Sequence, residues 1–109
     1  MAYRFGDVLL VPITFSDASA QKKRPVLAVH DTGDADVLVA PLTSHPPRSV
    51  EDVLISDWRA AGLRLPSTAR MSKLATVAKS SIIRSLGRLT DHAAQAARET
   101  LRRFFQGIF

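Results

Sequence analysis

The chain has 109 residues, 46% of them hydrophobic, no cysteine and a formal net charge of +5. That length fits a single domain, residues 1–109, with enough apolar content for one core. Disulfides, thiolate catalysis and cysteine-based zinc sites are excluded, and no stretch approaches the roughly 20 apolar residues of a membrane span. Residues 1–7 carry Arg4 and Asp7 with no long apolar run behind them, so they do not read as a signal peptide. A cytoplasmic protein is the simplest expectation. Charge is unevenly placed: residues 1–58 hold five basic and eight acidic groups, residues 59–109 ten and two. Such asymmetry suggests a polyanionic or acidic partner; a solvated basic surface is the alternative.

In chain order, DVLLVPIT (Asp7–Thr14) reads as a buried strand, with Pro12 arguing for an edge or a bulge. The polar stretch Phe15–Lys23 lacks periodicity and reads as a loop. PVLAVH (Pro25–His30) is a second strand, DTGDAD a turn centred on Gly33, and VLVAPL (Val37–Leu42) a third strand. Pro46 and Pro47 place Ser44–Ser49 in a loop. Asp52–Ile55 is a short fourth strand, and DWRAAG a single helical turn closed by Gly62. TARMSKLATV (Thr68–Val77) roughly alternates and reads as one longer strand, and Ile82–Leu89 as another, interrupted by Gly87. Thr90 has the character of an N-cap, with Asp91 favourable against the helix dipole. Ala94, Ala97, Leu101, Phe104, Phe105 and Ile108 then share one helical face, to be packed on the sheet, and Gly107 offers a stop. Many short strands and one terminal helix indicate a small, strongly curved sheet or partly open barrel, mostly β with a helix.

The DTGDAD turn makes a geometric prediction. With Gly33 and Asp34 as the two central residues of a type II′ hairpin, paired positions sum to 67. Arg24 then lies opposite Thr43, on the same face, with Cβ atoms about 5 Å apart. A guanidinium and a hydroxyl project together at the open end of the hairpin; a one-residue bulge would spoil the opposition. An ordinary polar strand end is the competing reading.

GDVLLVPITF, KKRPVLAV and VAPLTS, followed by DW, AGLRLPSTAR, KLATVAKS and IIRSLGRL, resemble the MazF/PemK-type toxins in order and approximate spacing. The likeness runs from about Gly6 to Leu89, with a family-like helix after it. Neither RP nor APLTS is decisive alone; their ordered combination is strong. The resemblance implies an α+β fold, an SH3-like, partly open β-barrel with a C-terminal helix, of the CcdB/MazF/PemK kind. It also implies a toxin of a type II toxin–antitoxin system, a homodimer that cuts single-stranded RNA without metal or other cofactor. The arginine of the RP motif and the threonine of the APxTS motif, here Arg24 and Thr43, are the catalytic pair it implies. Two positions depart from the family pattern: His45 stands where Gln or Arg is common, and Ala78 where Asp is common. The first can alter substrate choice or acid–base chemistry; the second puts a structural ion pair in doubt.

Metal-free cleavage uses the ribose 2′-hydroxyl as nucleophile and leaves a 2′,3′-cyclic phosphate and a 5′-hydroxyl. A fixed arginine can hold two phosphate oxygens as charge builds on them, and a threonine hydroxyl can donate one more hydrogen bond. Free arginine titrates above about 12 and is a poor proton acceptor. Imidazole titrates near neutrality, so His45 is a candidate acid or base, or else a solvated loop residue. Lys22 and Lys23, ahead of Arg24, can guide the phosphate backbone, and Ser44 can position RNA. Lys73 matches a family substrate-contact position, and Arg70 lies near it in sequence. Each of these cations is equally well a solubilising charge. His30 and His92 read as structural or surface residues, and Trp58 as a plug of the core or of a dimer contact. No histidines and carboxylates have metal-ligand spacing. The basic second half suggests an acidic antitoxin segment that orders on binding and covers the RNA groove. Two other functions share this fold: a CcdB-like toxin that binds gyrase without cutting RNA, and a regulatory module without activity.

Overall fold

The continuous apolar run of the first strand is explained by burial on both of its faces. The computed structural model describes residues 2–14 and 21–109. Strand β1 (Asp7–Thr14), β2 (Gln21–Asp31) and β3 (Asp36–Thr43) form an antiparallel meander. On one face, Val8, Leu27, Ala40 and Leu42 join the main core. On the other, Leu9, Val11, Val26, Ala28, Val37 and Val39 form a second cluster, closed by Tyr3, Ile13, Val77 and Ile82. Leu9 and Leu27 are fully buried, each contributing about 1.5–3 kcal/mol.

The remaining elements wrap this meander. They are β4 (Asp52–Ile55), β5 (Ser67–Arg70), β6 (Ala75–Ala78), a 3-10 turn (Lys79–Ser81), β7 (Arg84–Arg88) and helix α1 (Asp91–Ile108). The sheet order is β4-β5-β3-β2-β1-β7, with β6 also paired to β3. All pairings are antiparallel. The N-terminal half of β3 pairs with β6 and its last two residues with β5. This shared strand curls the sheet into a half-barrel.

That division corrects the single strand expected over Thr68–Val77. The chain must turn between two partners on one edge of β3, and it does so at residues 71–74, where the Lys73 amide donates to the Arg70 carbonyl. Met71 is fully buried at the turn. The expected loop is shortened as well: β2 begins at Gln21, so Lys22 and Lys23 are strand residues paired with Ile13 and Pro12. The loop reading for residues 15–20 lies outside the described residues. Pro12 is beyond the part of β1 that β7 covers, which ends at Leu10, and the bulge on that side falls between Val8 and Leu9.

DWRAAG folds into consecutive i to i+3 turns, from the Ala60 amide on Asp57 to the Gly62 amide on Arg59. A Cβ on Gly62 would overlap the Leu86 carbonyl, and one on Gly87 would lie 2.5 Å from the Ala61 carbonyl oxygen. The turn and β7 are therefore interlocked backbone to backbone. Thr90 caps α1: its hydroxyl oxygen accepts from the Ala93 amide and its hydroxyl proton is donated to Asp57. Ala93, Ala94 and Ala97 enter the main core. The apolar stripe is covered over only its first half, since Phe105, Ile108 and Phe109 are exposed. Helix α1 runs through Gly107 to Ile108; a single exposed glycine costs about 1 kcal/mol and does not by itself end a helix.

Candidate active site

The β2–β3 hairpin sets the geometry of the site. Near the turn the register is Asp31 with Val37 and His30 with Leu38, so paired positions sum to 68 and the turn is one residue longer than expected. Gly33 takes φ +88° within it. An extra residue, Val29, then bulges from β2, and from Ala28–Val39 through Val26–Pro41 the sum is 67. Carried two residues further along both strands, this register puts Arg24 opposite Thr43. The longer turn and the bulge offset each other, because each changes the register by one residue in opposite directions. Strand alternation places Arg24 with Val26 and Ala28, and Thr43 with Val39, on the face of the second cluster.

Both residues border a groove of about 730 Å³ at the ends of these strands. Lys23, Ser44 and His45 also line it, together with Arg64 and Arg84. No acidic side chain does so among the described residues. Apart from Ser67 and Gly62, the rest of its described lining is aliphatic, including the exposed Leu65 and Ile83. The Thr43 hydroxyl oxygen accepts a hydrogen bond from the His45 amide at 3.3 Å. That bond occupies a lone pair and leaves the hydroxyl proton available to an incoming acceptor.

A second, smaller hollow of about 200 Å³ adjoins Thr43 and His45. Arg48, Asp52 and Arg70 line it. Asp52 is 2% exposed and its carboxylate lies 3.5 Å from the Arg70 guanidinium, which is 32% exposed. Arg70 thus sits on the Thr43 side of the sheet, held in part by Asp52. Lys22 is an exposed β2 residue outside the groove lining, and Lys73 lies on the exposed turn after β5, outside both hollows. His30 and His92 are exposed. Trp58 is half-buried against the main core, with the Arg59 guanidinium 4.7 Å from its ring centre.

Sequence reasoning missed Arg64, Arg84 and Arg48. Arg64 follows the turn-closing Gly62 by two residues, and Arg84 faces the groove because β7 pairs with β1 at Leu10. The first signal was readable as a loop cation beside a turn; the second depends on a long-range pairing. Ala78 brings no charge, and the residue after it forms an ion pair of its own. Lys79 lies 2.9 Å from Asp31, whose carboxylate also accepts from the Tyr3 and Gly33 amides. The Lys79 ammonium first, and then these amides, hold the Asp31 carboxyl down from 3.8 to about 2. The Asp36 amide and the Thr32 hydroxyl likewise lower Asp34 in the turn. Among the described residues, no three His, Cys, Asp or Glu side chains converge as metal donors.

The sequence profile of the PemK-like, MazF-like toxins of type II toxin–antitoxin systems matches residues 4–105. No curated protein matches the chain. Among solved structures, the fold is similar to an endoribonuclease from a mycobacterial species, determined in complex with its cognate antitoxin. The TM-score is 0.79 at 17% identity, covering 96% of each chain. It is similar to a chain of the MazE–MazF complex of Deinococcus radiodurans, with a TM-score of 0.78 at 12% identity over 97% of each chain. It is also similar to the Mycobacterium tuberculosis toxin MazF-mt6, with a TM-score of 0.70 at 22% identity, covering 90% of this chain and 96% of that one.

Proposed function

We propose, given that the chain belongs to the family of PemK-like, MazF-like toxins of type II toxin–antitoxin systems, that it is a metal-independent endoribonuclease acting on single-stranded RNA. Residues 1–109 act as one toxin domain. The observation that carries this reading is that Arg24 and Thr43 line one groove, free of acidic lining among the described residues, and that the β2–β3 register, extended two residues past its last pair Val26–Pro41, would set them opposite each other. The similar structure determined with its cognate antitoxin, from a mycobacterial species, is itself an endoribonuclease.

In the reaction, the ribose 2′-oxygen attacks the adjacent phosphorus and the 5′-oxygen leaves. The products are a 2′,3′-cyclic phosphate and a 5′-hydroxyl. Arg24 binds the non-bridging oxygens and stabilises the charge that grows there. Thr43 donates its hydroxyl proton as a supporting hydrogen bond, its oxygen held by the His45 amide. His45, whose imidazole lines the same groove, is the acid–base group of this reading. Lys23, Ser44 and Arg70 contact RNA around this centre. Lys22 and Lys73, outside the groove, contribute to the approach of the polyanion.

The toxin works as a homodimer in the cytoplasm and is neutralised by an antitoxin with an acidic segment. The exposed Phe105, Ile108 and Phe109 at the end of α1 offer apolar surface for such contacts. Among the described residues, no helix is long and apolar enough to cross a membrane.

The test is incubation of the purified chain with a long, varied RNA in EDTA, with the ends mapped. Cleavage leaving 5′-hydroxyl ends is expected. Intact RNA together with inhibited gyrase supercoiling would replace this reading with the gyrase-binding one.

A further inference from the structure

We propose that Arg64 and Arg84, with Lys23, form a phosphate-binding rail that holds RNA beyond the scissile phosphate. The proposal rests on the ribonuclease reading and names the part of the groove that grips the flanking chain. Arg84 is paired with Leu10, and Leu10 with Pro25. Arg84 therefore stands two strand spacings, about 10 Å, from β2. Arg64 is brought beside β7 by the interlock of Gly62 with the Leu86 carbonyl and of Gly87 with the Ala61 carbonyl. These glycines exclude side chains from the contact, so Arg64 and Arg84 edge the same groove.

Their charge is available. Arg70, Lys79 and Arg88 each face an aspartate, whereas Lys23, Arg64 and Arg84 have no acidic partner among the described residues. Leu65 and Ile83, 59% and 44% exposed, line the same groove and give apolar surface on which a base can rest. Among the described residues, no phenylalanine, tyrosine or tryptophan lines it. Cations on an aliphatic wall grip the backbone and set the register of the strand without reading its sequence.

The measurement is binding of an uncleavable RNA oligonucleotide, with 2′-deoxy substitution at the cleavage position, by fluorescence anisotropy between about 50 and 200 mM salt. Each of Arg64→Ala and Arg84→Ala should flatten the slope of log affinity against log salt by about 0.7 and weaken binding about fivefold at about 0.1 M salt. The loss should grow with oligonucleotide length. Arg64→Lys and Arg84→Lys, which keep the charge, should restore most of the slope. Arg102→Ala, an exposed helix residue paired with Glu99, is the control and should match the wild type. Wild-type slopes in both alanine variants would overturn the proposal. So would undiminished RNA binding with lost binding of an acidic antitoxin peptide, which would make this wall a protein-docking surface. Cleavage is assayed in parallel. Cleavage by the wild type with unchanged slopes removes the rail and keeps the ribonuclease. Arginine-dependent binding without cleavage keeps the rail and removes the ribonuclease.

Discussion

At the scale of single residues, the proposed reaction assigns a guanidinium and a hydroxyl roles that differ in kind. Arg24 can bind two phosphate oxygens at once, and a lysine in its place keeps the charge but loses the fork. Arg24→Ala should lower the cleavage rate by about 10²–10³-fold, the usual effect of removing a donor aimed at transition-state charge. Arg24→Lys should recover only part of it. In the proposed reaction Thr43 supplies one hydrogen bond to a charged group, so Thr43→Val should cost roughly 10- to 100-fold, and Thr43→Ser much less. Single-turnover kinetics on one RNA, with folding checked by circular dichroism, measures all four. An Arg24→Ala enzyme that cuts at the wild-type rate would remove the arginine from the mechanism. The register expected from the DTGDAD turn recurs at Ala28–Val39 to Val26–Pro41, although the turn itself is one residue longer than expected. The compensation between the longer turn and the Val29 bulge was not legible. A bulge arises from the twist that lets β2 lie on β1 and β3 together, and no local signal at Val29 announces that.

Elements expose a different limit. Strand β1, strand β4 and the Thr90 cap could be read locally, because each rests on apolar pattern or on a capping side chain within three residues. The break between β5 and β6 could not, because it is imposed by the two partners of β3. Glycines separate local from tertiary demands in the same way. Gly33 and Gly62 both have positive φ, but nothing lies within 4 Å of a Cβ on Gly33, while one on Gly62 would strike the Leu86 backbone. Gly33→Ala should cost only the left-handed conformation, about 1–2 kcal/mol. Gly62→Ala adds overlap that the Leu86 backbone cannot relieve by changing rotamer, and should cost at least about 3 kcal/mol. It should also displace Arg64 from Arg84. Urea unfolding of the two variants tests the contrast, and equal losses would mean that the turn and β7 are not interlocked.

Over the whole molecule, the charge asymmetry takes on a second meaning. Among the described residues, three ion pairs join a cation of the second half to an aspartate of the first: Arg70 to Asp52, Lys79 to Asp31 and Arg88 to Asp7. Part of the basic excess is thus spent inside the fold, while Arg64 and Arg84 of the same half line the groove. Composition gave the excess but not this division, which needs the pairing of distant strands. Asp31 is the most connected of the three aspartates. It gathers the Tyr3 amide and the Lys79 ammonium from distant parts of the chain, and the Gly33 amide from two residues on. Its carboxyl is lowered from 3.8 to about 2 in the folded state. A carboxyl so lowered stabilises the fold fully above its unfolded value and loses that contribution as pH falls towards the folded one. The stability gap between the wild type and Asp31→Asn should therefore be constant from neutral pH down to about 5 and shrink between about 4 and 2. Urea midpoints of the two proteins, taken side by side across that range, isolate Asp31 because the other carboxylates cancel in the difference. A gap that stays constant down to pH 2 would show that Asp31 acts through its hydrogen-bonding shape alone, and not through the charge that Lys79 and the two amides hold in place.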